Sequence, residues 1–155
     1  MLANLLELYA YDFSEFADVT IGPDGRFHYP MLPLYWQEEG RSPFLVTVDG
    51  QLAGLVLVSR GSHISGDPKP RDMAEFFIMR GYRRRGIGTA VAHEVWRRFP
   101  GAWEVRVLET NPIAVAFWEA AIGTFTGSTP EAGSVEQGGQ RRRVFTFVSS
   151  GAGGV

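Results

Sequence analysis

Apolar positions along this chain follow two periods, and the switches between them mark out the elements. Leu2, Leu5, Leu6 and Tyr9 have helical spacing, with Phe13 and Phe16 continuing the same face, and predict an N-terminal helix. Gly22-Pro23-Asp24-Gly25 is a turn cluster, and Met31 to Glu39 reads as a second short helix stopped by Gly40. Phe44–Val48 and Gln51–Ser59 flank Asp49-Gly50, the dipeptide of a two-residue type I′ hairpin. Residues 61–71 carry glycine, serine, proline and charge, and read as a loop. Met73 to Met79 is apolar on both faces except at Glu75, the mark of a central strand. Ile87, Val91, Val95 and Phe99 share one helical face, and Pro100-Gly101 ends that helix. Trp103, Val105 and Val107 alternate with Glu104 and Arg106 in a strand ending at Leu108. Asn111-Pro112 then opens a helix to about Ala121, with Asn as N-cap. Ile122–Thr126 and Arg143–Val148 read as the strands of a long terminal hairpin. Ser149–Val155 reads as a disordered tail, which leaves one domain over 1–148.

Composition narrows the function classes. The 155 residues are 45% hydrophobic and 21% charged, ordinary for a globular domain. The net charge of −2 gives no overall attraction to nucleic acid or to an anionic membrane, so neither is an expected partner. The absence of cysteine excludes disulfides, thiolate metal ligands and a cysteine acyl-enzyme. His28, His63 and His93 share no metal-binding spacing, and no metal is expected. The first residues include Glu7 and Asp12 without a basic start, unlike a signal peptide. The longest apolar run, Ile113 to Trp118, is far short of the roughly 20 residues of a membrane helix. A cytoplasmic protein is the expectation.

The chemistry concentrates between the central strand and the following helix, in Arg83-Arg84-Arg85-Gly86-Ile87-Gly88. A helix start offers unpartnered N–H groups and the positive end of the helix dipole. Glycines there let the backbone approach a phosphate, and arginines add charge, so a diphosphate is the natural ligand. Gly81 and Gly86 have P-loop spacing, but Ile87 and Gly88 stand where Lys and Ser/Thr are required. Gly86 and Gly88 begin a dinucleotide fingerprint, but Val91 replaces its third glycine and the preceding strands form a hairpin. Both nucleotide readings fail.

Arg83, Gly86 and Gly88 satisfy R-x-x-G-x-G, and here the chain resembles the GCN5-related N-acetyltransferase superfamily. Glu109 to Trp118 is similar to that family's N-x-x-A-x-x-F-Y segment, through Asn111, Ala114 and Phe117. The resemblance implies an α+β fold: a mixed, mostly antiparallel central sheet flanked by helices. Strands 72–80 and 103–108 are then expected to run parallel and splay apart. It implies acetyl-CoA as cosubstrate. The backbone of Arg85, Gly86, Ile87, Gly88 and Thr89 would hold the pyrophosphate, with Arg83 and Arg84 either adding charge or forming a solvated basic face. The pantetheine arm would pair with Phe77, Ile78 and Met79, while Asn111, Phe117 and Trp118 would line the cofactor. Asn111 is an N-cap whether or not it touches a ligand.

Glu75 is a carboxylate in an apolar strand, on the face that simple alternation assigns to Met73, Phe77 and Met79. Burial raises such a pKa toward neutrality and suits a general base, a role the family often gives a glutamate on this strand. A structural pairing with an arginine is the other reading. Trp118 stands where the family commonly has tyrosine, and indole cannot act as an acid. A thiol of pKa near ~8.5 is a fair leaving group without one. Tyr29, Tyr35 and Trp36 are candidates for an acceptor pocket, or else core. His93 reads as packing. The expected activity is acetyl transfer to a primary amine, small molecule or peptide, by direct attack. A non-catalytic acyl-CoA sensor is the alternative. The acceptor and the oligomeric state, monomer or homodimer, are left open.

Overall fold

The computed structural model describes residues 1–151. Its elements in chain order are α1 (Leu2–Phe13), a short 3₁₀ turn (Leu32–Trp36), β1 (Ser42–Val48), β2 (Gln51–Arg60) and β3 (Arg71–Ile78). A second 3₁₀ turn (Arg80–Tyr82), α2 (Ile87–Arg98), β4 (Gly101–Leu108), α3 (Pro112–Thr126), β5 (Glu131–Gln137) and β6 (Gln140–Ser149) follow. Six strands form one sheet in the order β1-β2-β3-β4-β6-β5, with every pairing antiparallel except β3–β4. This is the mixed, mostly antiparallel α+β sheet that the sequence predicts. The β1–β2 turn has positive φ at both Asp49 (50°) and Gly50 (77°), the requirement of a type I′ hairpin.

Two apolar layers hold the sheet. On one face α2 and α3 enclose Val56, Val58, Met73, Trp96, Trp103, Val105, Ile122 and Phe145. On the other, α1 and the first 3₁₀ turn cover Leu55, Leu57 and Phe77 with Leu5, Leu6 and Tyr35. The strand register explains how β3 serves both. Val58 pairs with Met73 and Leu57 with Glu75, leaving Ala74 as the extra residue of a β-bulge. Met73 therefore packs with the α2–α3 core, while Glu75 shares the opposite face with Phe77. Simple alternation, which groups Met73 with Glu75, is corrected by that one residue.

Three further expectations change. The second helix is a 3₁₀ turn ending at Trp36, not a helix to Glu39. Ile122–Thr126 is not a strand: α3 runs on to Thr126 because Ala121 and Ile122 are buried against the core, and Gly127 (φ 77°) closes it by donating to the Gly123 carbonyl. The true partner of β6 is the exposed Glu131–Gln137. Ser149 is not tail but the buried last residue of β6, and its hydroxyl donates to the Trp96 carbonyl at 2.6 Å near the end of α2. Residues 152–155 of the expected tail lie outside the described residues. Among the described residues no helix is long and apolar enough to cross a membrane.

Candidate active site

The parallel pair β3–β4 is joined at only two positions, Arg71 with Trp103 and Asp72 with Glu104. Beyond them the strands splay as predicted, and the edge of β3 facing β4 is left unpaired. Met79 N–H donates to Ala53 O (2.8 Å) on the β2 side. Strand alternation then points the polar backbone of Phe77 toward β2, and that of Phe76 and Ile78 into the gap. Of the expected Phe77–Met79 set, Ile78 is the residue whose backbone faces the gap, joined by Phe76, which the sequence does not single out. The Ile78 carbonyl is already taken by Arg83 Nε at 2.7 Å.

At the end of this gap the chain turns sharply into α2. Arg84 (φ 60°) and Gly86 (φ 74°) are left-handed, and Gly86 is the N-cap without any side-chain cap. The backbone N–H groups from Arg84 to Thr89 donate to no backbone acceptor among the described residues. They form a row of free donors at a helix start. Gly88 also serves packing. A Cβ there would lie 3.2 Å from Cε2 and Cζ of Phe117, so any larger residue needs that ring to give way by a few tenths of an ångström.

The three arginines diverge. Arg83 Nη2 bonds Asp12 Oδ2 at 2.7 Å, and Arg80 binds Asp12 Oδ1 through Nε (2.9 Å) and Nη2 (2.7 Å). One carboxylate at the end of α1 thus fixes both ends of the short 3₁₀ turn that leads into the loop. Arg85 lies over the Tyr82 ring at 5.6 Å, and Arg84 is exposed. Across the gap, Asn111 Oδ1 accepts from Ala114 N at 3.1 Å, the predicted N-cap. Phe117 packs on Phe76 (5.9 Å) beneath Gly88. Trp118 is only 7% exposed and stacks edge-on against Phe76 at 4.8 Å, deep in the core. Ile87 also packs against that core. His93 does too, its Nε2 2.8 Å from the Ala121 carbonyl.

Glu75 stands on the far face of β3, half-buried, with the Tyr29 hydroxyl donating to its Oε1 at 3.1 Å. Burial raises its pKa above its ordinary value, against the opposing pull of the Tyr9 and Tyr29 hydroxyls. The phenols of Tyr9, Tyr29 and Tyr35 are all pushed up, mainly by burial and with Glu75's charge among the causes. Tyr29 is placed by Glu7, whose carboxylate accepts from the backbone N–H groups of Phe27 (2.8 Å) and His28 (2.9 Å). Next to this cluster Arg106 grips the fully buried Asp72 with two bonds of 3.1 and 3.0 Å. The structure therefore gathers Glu75, Tyr29 and Tyr35 but leaves Trp36 outside, 64% exposed. Sequence reasoning misses Tyr9, Asp12, Asp72 and Arg106. Tyr9 is hidden in the helical stripe, and the acidic residues give no signal because their partners are distant in sequence.

The Acetyltransferase (GNAT) family model matches residues 5–123. The chain belongs to the GNAT acetyltransferase family. No curated protein matches the sequence. Solved GNAT-like structures share the fold: an acetyltransferase from Thermus thermophilus superposes with a TM-score of 0.66 at 17% identity, covering 94% of this chain and 90% of that one. A ribosomal-protein-alanine N-acetyltransferase from Brucella melitensis gives 0.60 at 15% identity, with 96% of each chain covered. A spermidine N-acetyltransferase chimera from Vibrio cholerae and hSSAT gives 0.57 at 16%, covering 95% and 93%. GNAT acetyltransferases use acetyl-CoA, and this chain fits that ligand. The free N–H row suits a pyrophosphate, and the unpaired edge at Phe76 and Ile78 suits the amide groups of a pantetheine arm.

Proposed function

We propose that this GNAT protein transfers an acetyl group from acetyl-CoA to a primary amine by direct attack in a ternary complex, with Glu75 as the general base. The observation that carries the reading is the strand β3 itself. Its edge borders the gap that leads to the free N–H row of Arg84–Thr89, and it bears a half-buried carboxylate with a raised pKa. Bound there, acetyl-CoA would supply a thioester whose acyl carbon forms the new C–N bond while the C–S bond breaks and coenzyme A leaves as a thiolate, which takes up the second proton of the amine. An alkylammonium with pKa near ~10.4 has no lone pair, so a proton must leave first. Glu75 takes it, directly or through water, and the Tyr29 hydroxyl holds the carboxylate in place. Phosphate binding belongs to Arg85, Gly86, Ile87, Gly88 and Thr89.

Glu75→Gln keeps the shape and removes the proton acceptor. Turnover at pH 7 should fall by about 10²–10⁴-fold, with acetyl-CoA affinity near wild type. The melting temperature guards against an unfolding artefact, and its sign follows from the pKa. A raised carboxylate pKa means the fold prefers the protonated form. The associated stability is fully present below the ordinary 4.5 and is lost as pH rises through the raised value. Gln imitates the protonated form, so the variant should melt at or above wild type at pH 7. A stable variant with unchanged rate from pH 6 to 9 would remove Glu75 from the mechanism.

A second reading, a non-catalytic acyl-CoA sensor, draws on Trp118, which fills the usual tyrosine position and is enclosed by the core. Turnover of any amine in an acetyl-CoA assay decides between the two.

A further inference from the structure

We propose that Arg142 is the receptor for a carboxylate on the amine acceptor, so that the substrates are amino acids or peptides rather than simple amines or polyamines. The inference rests on the acetyl-transfer reading above and assigns the acceptor class to it.

The run Arg141-Arg142-Arg143 lies in β6, where side chains alternate between faces. Arg141 reaches Glu109 (3.6 Å) and Glu136 (3.8 Å), and Arg143 reaches Glu109 (3.6 Å). Arg142 points the other way, onto the face of Glu75. Its pairing with Leu108 puts it beside the strand that carries Arg106, on the β4 side of the gap. There it forms no ion pair and no hydrogen bond with any described residue, and its Nε is sealed from solvent without an acceptor. The residue as a whole is half-buried, and its two terminal nitrogens are neither sealed nor paired with any described residue, so Nη1 and Nη2 are the part of the guanidinium that a ligand can reach.

Its neighbours have partners of their own. Asp72 is held by Arg106, Glu104 accepts from Ser62 Oγ at 2.9 Å, and Glu75 accepts from Tyr29. Burial first, and then the Arg106 charge, push Arg142 down, while Glu75, Tyr9 and Asp72 work in the opposite direction. A guanidinium stays charged throughout. A charged, partly desolvated group without a counter-ion is costly, and a planar carboxylate satisfies its fork in two bonds. A singly charged carboxylate suits this place better than a dianionic phosphate, because Glu75 and Asp72 lie on the same face. An acceptor bearing both groups would direct its amine to Glu75 and its carboxylate to Arg142.

The test uses matched pairs: glycine, β-alanine, γ-aminobutyrate and the L-amino acids, each against its carboxamide. Both turnover with acetyl-CoA and calorimetric binding to the CoA-loaded protein are measured. Wild type should favour the carboxylate member of at least one pair by roughly 10–100-fold in kcat/KM. Arg142→Gln should bring that ratio to about one while leaving the carboxamide rate and CoA affinity unchanged, and Arg142→Lys should restore part of it. A merely structural arginine would slow both members alike. Equal rates for both members in wild type, or a preference that survives in Arg142→Gln, would overturn the proposal while acetyl transfer stands. Carboxylate-dependent binding without turnover of any amine would instead sink the transfer reading and leave Arg142 as the receptor. Failure of every carboxylate both to bind and to react would end that role for Arg142.

Discussion

Gly86 and Gly88 are two residues apart in one motif and are glycines for unrelated reasons. Gly86 sits at φ 74° with open space around the missing Cβ, whereas a Cβ on Gly88 would come within 3.2 Å of the Phe117 ring. Valine at 86 meets strain, not a clash. It should destabilise the fold by about 1–2 kcal/mol and abolish CoA binding, since its branch lies where phosphate must come close. Gly81 is the control: it has room for a Cβ and no left-handed φ, so Gly81→Ala should bind CoA like wild type. Calorimetry with CoA compares them, and a wild-type affinity for Gly86→Val would detach the loop from phosphate binding. At this scale the motif is legible in the sequence because turn chemistry is local. The side-chain partner of Arg83 is not, since Asp12 lies far away in sequence and only the fold brings it near.

Between elements, the Asp12 clamp is what joins α1 to the turn after β3. Burial pushes the Asp12 carboxyl up, but the hydrogen bonds from Arg83 and Arg80 outweigh it and hold the pKa below the ordinary 3.8. The clamp is therefore intact above that value and is lost as pH falls through the lowered one. Asp12→Ala should release both arginines, loosen the approach to α2 and weaken acetyl-CoA binding several-fold at neutral pH. An unchanged KM for acetyl-CoA would show that the turn needs no such anchor. The sequence is least informative about elements whose stability comes from tertiary contact. Ile122-Gly123-Thr124-Phe125-Thr126 has β-branched and aromatic residues typical of a strand, yet it continues α3 because Ile122 is wholly buried and Phe125 packs on Trp96 (5.2 Å). Glu131–Gln137 has almost no apolar pattern and is a strand only because β6 pairs with it along its length.

For the whole molecule, the order of hairpin, strand, loop, helix, strand and helix is readable because each carries its own turn or cap signal. The polar cluster on the α1 face of the sheet is not, since Asp72, Glu75, Arg106 and Arg142 come from three strands and meet only after folding. Ligand binding is the prediction at this scale. CoA and acetyl-CoA should each raise the melting temperature, by about 2.7 kcal/mol of stability at a hundred times Kd, and ATP and NAD should not. A shift with ATP and none with CoA would contradict phosphate binding by the free N–H row in the form proposed.

The two-residue junction between β3 and β4 has a mechanical meaning. What looks like one continuous sheet is a pair of plates, β1-β2-β3 and β4-β6-β5, hinged at Arg71–Asp72 and bridged on one side by the α2–α3 core. A ligand lying in the cleft with hydrogen bonds to its edge would act as an inserted strut, stiffening the hinge as well as presenting a reactive group.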